Sequence, residues 1–325
     1  MLPRGAIDKS ISHILGGVLF SGLGLWHLFN HIRLFVSLAP TSSSSYVAPA
    51  WFPAPRVRHL ELIVMLAGGI YGFATQMLAY SPMPFRADGS IPPERLPNHE
   101  HAIMYASLLV YAGSAIYLDR NRSSHRRRHT TLCMLLLAAL FAQELFVFHV
   151  HSTDHAGVEG RLHWFLQAAA AACLATALLG AGAGGLPAEL QFAVSLVRSA
   201  SLAFQGLWGV VIGVAWIPGM APKGCSLDDG GVNLRCHGED SLRHAVAVVN
   251  LEFGWCVVLM TVFVLGLYMY VCRKYPAGSG EVYGRLPDAE AEAADEDDDH
   301  HDMKTRNCKQ AVHDVHEFTS MEIEV

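Results

Sequence analysis

Charge is what this chain has least of. Only 16% of its 325 residues are Asp, Glu, Lys or Arg, against 52% that are hydrophobic, and the mean hydropathy of +0.28 is too high for an ordinary soluble domain. The phosphate loop G-x-x-x-x-G-K-[ST] and the nucleophile elbow G-x-S-x-G are both missing, which removes the usual signatures of soluble NTPases and α/β-hydrolases. No H-E-x-x-H zinc motif occurs, and the cysteines never fall at C-x2-C spacing, so no strong metal fingerprint is present. No internal repeat at a fixed period is apparent, which weighs weakly against a duplicated transporter fold.

What charge there is divides unevenly. Residues 281–325 hold 14 of the 29 acids and 4 of the 23 bases, so the first 280 residues carry 15 acids and 19 bases. A tail containing DAEAEAADEDDDHHDMK has too little apolar surface to offset its ordering entropy. The sequence therefore predicts a membrane domain over 1–275 and a disordered acidic tail over 276–325.

A bilayer core needs roughly 20 apolar residues per helix, and that criterion marks seven windows, at about 12–38, 57–80, 100–118, 130–151, 160–181, 190–217 and 243–272. The stretches between them, such as SPMPFRADGSIPPERLPN and GAGAGGLP, are Pro- and Gly-rich loops. The fold class that follows is an all-α, seven-transmembrane helix bundle. Orientation comes from the loop DRNRSSHRRRH, with Arg120, Arg122, Arg126, Arg127 and Arg128, which belongs in the cytosol by the positive-inside rule. Arg33, Arg56, Arg58, Arg273 and Lys274 fall at the same end. The N-terminus is then extracytoplasmic and the tail cytosolic. Arg4 and Lys9 before an apolar run also fit a signal peptide, but cleavage would turn the arginine loop outward, so span one reads as an anchor.

Of the seven cysteines, Cys225 and Cys236 flank SLDDGGVNLR in a loop assigned to an oxidising compartment and form a disulfide candidate. Two free thiols there are the alternative.

The most polar stretch at membrane depth is ELFVFHVHSTDHAGVEGRLHWF. Ionisable groups there are costly and face a bundle interior. Glu144 and His151 share a helical face, as do Glu159 and His163. His99, Glu100 and His101 open span three, and His237, Glu239 and His244 precede span seven, with Glu252 deeper. Glu144, His151, His163, His101 and His244 are read as one polar site in the extracytoplasmic half and as candidate first ligands of a transition metal such as zinc. Glu159 and Glu252 stand behind them as orienting or proton-accepting partners. His149, on the other side of its helix, is left out. A water-filled polar network or an interfacial histidine rim explains the same residues without metal. A second, inner cluster comprises His27, His31, His59 and Glu61, with His31 and Glu61 in reach of each other. Its histidines suit haem iron or a metal, or plain interhelical hydrogen bonds.

In order along the chain, GLWHLFNHIRLF, APAWFP, RHLELIVML, NHEHAIMY, QELFVFHVHSTDHAGVEGRLHWFLQ, VRSASLAFQGLWGVVIG and PKGCSLDDGGVNLRCHGED resemble the blocks of the transmembrane protein 45 family, in its plant branch. The resemblance covers roughly residues 12–272 and implies a multi-pass membrane protein. It lends no catalytic residues, and it associates plant members with defence responses. The acidic tail departs from it.

Three classes of function stay open. One is a membrane scaffold, trafficking or response factor whose tail recruits cytosolic partners. Another is a metal-dependent intramembrane lipid hydrolase, for which His151, His155, His163, Asp154 and Ser152 supply residue types by analogy only. The third is a proton-coupled or metal transporter lined by Glu144, Glu252 and the histidines. The partner common to all is the lipid bilayer. Nucleic acid is excluded, because RRRH has no aromatic neighbours and abuts a span. Ligand, membrane and oligomeric state are not encoded legibly.

Overall fold

The structure, a computed structural model, describes residues 4–38, 46–79, 83–121, 126–155, 157–217, 219–228 and 233–275. The acidic tail, Cys308, and Arg122 to Ser124 of the arginine loop lie outside the described residues, as do the side chains of Arg126, Arg127 and Asp154. Among the described residues, seven helices are long and apolar enough to cross a membrane. They are α1 (Arg4–Ser37), α2 (Leu60–Leu78), α3 (Leu96–Arg120), α4 (Arg126–Asp154), α5 (Val158–Ala181), α6 (Ala188–Ala215) and α7 (Glu239–Lys274). Consecutive spans alternate in direction. One end of the bundle therefore carries the α4–α5 turn and the start of α3 (the histidine end). The other carries Arg58, Arg120 and Arg128 (the arginine end).

Helices α2 to α6 pack on their neighbours in chain order, but α1 runs along α6. Glycine makes that contact possible. A Cβ at Gly206 would collide with the Gly17 carbonyl and the Ser21 nitrogen, and one at Gly24 would strike the Ala203 backbone. The backbones approach as in other small-residue membrane interfaces. Span three starts earlier than the apolar pattern predicts, because a 3-10 turn at Pro93–Arg95 feeds α3 through Pro97 in its first turn. Buried Arg95 gives Nη2 to the carbonyls of Gln76 (2.7 Å) and Met77 (3.2 Å), closing the end of α2.

Residues 46–52 re-enter the bundle from the arginine end. Tyr46, Ala48, Ala50 and Phe52 are buried at alternate positions, the period of an extended segment. Side chains satisfy its backbone and tip. Glu61 Oε2 accepts the Phe52 N–H at 3.0 Å, the Tyr111 hydroxyl donates to the Ala50 carbonyl at 3.0 Å, and Tyr46 Oη stands 2.7 Å from Ser195 Oγ.

The loop before α7 contains a short antiparallel pair, β1 (Cys225–Leu227) and β2 (Leu234–Cys236), with Cys225 opposite Cys236. Those two cysteines are joined by a disulfide. Helix α7 lies at the margin. Leu251, Trp255, Val258, Val262 and Phe263 are exposed along it, an apolar surface of the kind that suits lipid.

Candidate metal centre

The α4–α5 turn builds the site. Gly157 caps α5 at φ 76°, a conformation that suits glycine. At Gly160 a Cβ would run into the carbonyls of His155 and Ser152. These two glycines let α5 start directly against the last turn of α4, and His151, His155, Glu159 and His163 converge. Ring centroids are 4.4 Å apart for His151 and His155 and 4.6 Å for His151 and His163. Two more helices add rings: His101 of α3 lies 5.5 Å from His151, and His13 of α1 lies 5.6 Å from His163. Trp216 stacks on His13 at 5.9 Å.

The hydrogen bonds fix which nitrogen each ring presents. His163 Nδ1 donates to the Glu159 carbonyl at 2.9 Å and His13 Nδ1 to that of Lys9 at 2.9 Å. His101 Nδ1 donates to the Pro97 carbonyl at 2.6 Å. His151 Nδ1 faces Glu100 Oε2 at 3.3 Å. With Nδ1 as donor, the Nε2 of each neutral ring carries the lone pair. In His151 and His163 that Nε2 is buried with no partner. Unmet buried acceptors cost about 1–3 kcal/mol each, so two on touching rings call for a donor or a cation. His151, His155 and Glu159 each offer a ligand atom within 4.8 Å of the others. Glu159, 2% exposed, already pairs with Lys9 and lies 3.4 Å from His155 Nδ1.

Other expected members stand elsewhere. Glu144 is buried, but two turns deeper, beside Gln205, and its Oε2 is without a partner. His244 and Glu252 are exposed on α7, because that helix touches the bundle only along a narrow seam. The structure does not bring these three to the histidine rings. His149 is exposed and faces Gln167 Oε1 at 3.2 Å. Ser152 accepts from Gln167 Nε2 at 2.6 Å and donates to the His149 carbonyl at 2.9 Å.

Of the inner residues, His27, His31 and Glu61 lie together, with the His27 and His31 ring centroids 5.8 Å apart, while His59 turns to another partner. His27 Nε2 meets Glu61 Oε1 at 2.7 Å, with Trp26 Nε1 donating to Oε2 at 3.1 Å. His31 bonds Tyr46 Oη at 2.7 Å, not Glu61. His59 goes to Asp119 at 2.8 Å, beside the Arg58 fork at 2.8 and 3.1 Å. That bidentate carboxylate raises the Arg58 pKa above its ordinary value, and burial raises that of the Tyr46 hydroxyl.

A cavity of about 380 Å³ runs between the two ends. His101 and Ser12 line it toward the histidine centre, Glu144 and Gln205 midway, and His27 and Glu61 toward the arginine end. Most of the remaining lining is aliphatic or aromatic, Leu15, Leu19, Leu140 and Phe141 among it.

A family described as "Family of unknown function (DUF716)", the one for proteins like transmembrane protein 45, is similar to this chain over residues 130–269, from α4 into α7. No curated protein matches the chain.

Proposed function

We propose that this is a metal-binding membrane protein, with a zinc-class ion held by His151, His155 and Glu159 and with His163 as a further ligand. In this reading the centre works on an apolar molecule drawn from the bilayer into the adjoining cavity, which makes the protein a metal-dependent intramembrane hydrolase. The observation that carries it is the pair of buried, unpartnered Nε2 atoms on His151 and His163, each ring already anchored through Nδ1. That arrangement, an outer oxygen fixing the ring so that the second nitrogen faces inward, is how proteins orient imidazole ligands. A zinc ion there supplies Lewis acidity and an activated water. Lys9 must release Glu159 for the carboxylate to join.

The positive-inside rule puts the histidine end outside the cytosol, with 1–275 as the membrane domain and 276–325 as a cytosolic tail. Transport is a second reading, favoured by the reach of the cavity from His101 to His27 and Glu61. A scaffold or response-related role rests on the uncovered α7 face and the tail alone.

Elemental analysis of detergent-purified protein tests the reading. We expect about one zinc per chain in the wild type and in His149→Ala, and loss of it in His151→Ala and His163→Ala. Equal metal content in all four, or none in any, would overturn the reading and favour the scaffold.

A further inference from the structure

The metal centre leaves the middle of the bundle unexplained. Arg198, on α6, is 3% exposed and lines the cavity, yet its Nη2 has no partner. Its Nη1 reaches only the Thr176 carbonyl, at 3.5 Å. Hydrogen bonding at 3.5 Å is at the edge of usefulness. A guanidinium in a bilayer-depth interior ordinarily pairs with a carboxylate. Neither of the two carboxylates that line this cavity is paired with Arg198. Glu61 receives Trp26, His27 and the Phe52 N–H, and Glu144 stands beside Gln205 with its Oε2 unpartnered. Gln205 is seven residues on along α6, about 10 Å by helical rise.

We infer that the cavity is a binding site for a carboxylate-headed aliphatic amphiphile, a free fatty acid, with its head on Arg198 and its chain along the apolar lining. Three features select that class. The guanidinium fork matches a carboxylate in shape and charge. Among the described residues, Arg198 is the only lysine or arginine lining the cavity, so it balances one negative charge, whereas a phosphate head carries up to two. The lining along Leu15, Leu19, Leu23, Leu108, Leu140 and Phe141 offers a chain van der Waals partners and no hydrogen-bond donors. The volume of about 380 Å³ falls in the range of a single small-ligand site, about 300–1,000 Å³. This site does not depend on the histidine centre, and binding at Arg198 survives chelation.

The test uses full-length protein in phosphatidylcholine nanodiscs, with radiolabelled palmitate, its methyl ester and hexadecyl phosphate as probes, each with and without EDTA. Expected is saturable binding of palmitate near one per chain, at least tenfold tighter than the ester and tighter than the phosphate, with or without EDTA. Arg198→Gln is expected to remove the preference for acid over ester while the ester binds as before. Equal affinity of wild-type protein for acid and ester overturns the inference without any variant, so misfolding of the variant cannot shield it. Tighter binding of the phosphate overturns the carboxylate assignment. Loss of palmitate binding on chelation, with the wild type otherwise folded, moves the head to the metal and overturns the role of Arg198.

Discussion

His151 and His163 come from antiparallel neighbouring helices and stand edge to face, ring centroids 4.6 Å apart, each with Nε2 buried and unpartnered. Two imidazoles in that relation repel one another if both are protonated and leave lone pairs unmet if both are neutral. A cation between such rings removes the conflict, and the carboxylate and carbonyl behind them hold the rings in place for it.

The oxygen behind His151 is therefore open to test. Glu100→Ala removes the partner of His151 Nδ1, and outer partners of this kind typically account for 10–100-fold in metal affinity. We predict zinc affinity reduced by that order, measured by competition with a chelator, with the melting temperature little changed. Unaltered affinity would show that Glu100 does not orient the ring.

Close approach of α1 and α6 predicts a steep cost for bulk at their crossing. In Gly206→Leu the side chain meets the Gly17 carbonyl and Ser21 backbone, which cannot retreat as a flexible side chain would. Loss of about 3 kcal/mol or more is expected, read as a large fall in melting temperature or loss of monodisperse protein in detergent. Gly16→Leu, where a Cβ meets nothing within 4 Å, should be tolerated.

Legibility of the sequence was uneven for physical reasons. Each span announces itself by local composition, so seven helices and even the His151–Glu144 face can be read from spacing. Which helix lies beside which is a tertiary matter. His13 is one polar residue in an apolar run until α1 is set against α5 and α6, and only then does it join His163. Arg198 is similarly mute, since a lone arginine within a span gives no hint of the cavity it lines. His244 and Glu252 mislead in the opposite sense. They have the right chemistry at the right depth, but α7 stands aside and leaves them exposed. Glu61 was legible as a partner for inner histidines, whereas the re-entrant segment that turned His31 to Tyr46 and left His59 to Asp119 was not.

The bridge between Cys225 and Cys236 closes a short loop next to the start of α7. Cys236→Ser should cost about 2–3 kcal/mol on the chain-entropy account. Alkylation of native protein under non-reducing conditions should leave both thiols unlabelled, and labelling of both would contradict the bond.

Orientation has its own test. A tag inserted after Ser124 should be reached by antibody only after permeabilisation, and a tag at residue 1 should be protected from protease added on the cytosolic side. Exposure of the Ser124 tag on intact cells would place the histidine end in the cytosol and reverse the assignment.

The most direct test of the central claim is X-ray absorption at the zinc edge of the purified, zinc-loaded protein. Expected is a shell of nitrogen and oxygen ligands at about 2.0–2.1 Å with the outer scattering of two or three imidazoles. A shell dominated by sulfur, or one of water oxygens with no imidazole scattering, would contradict it.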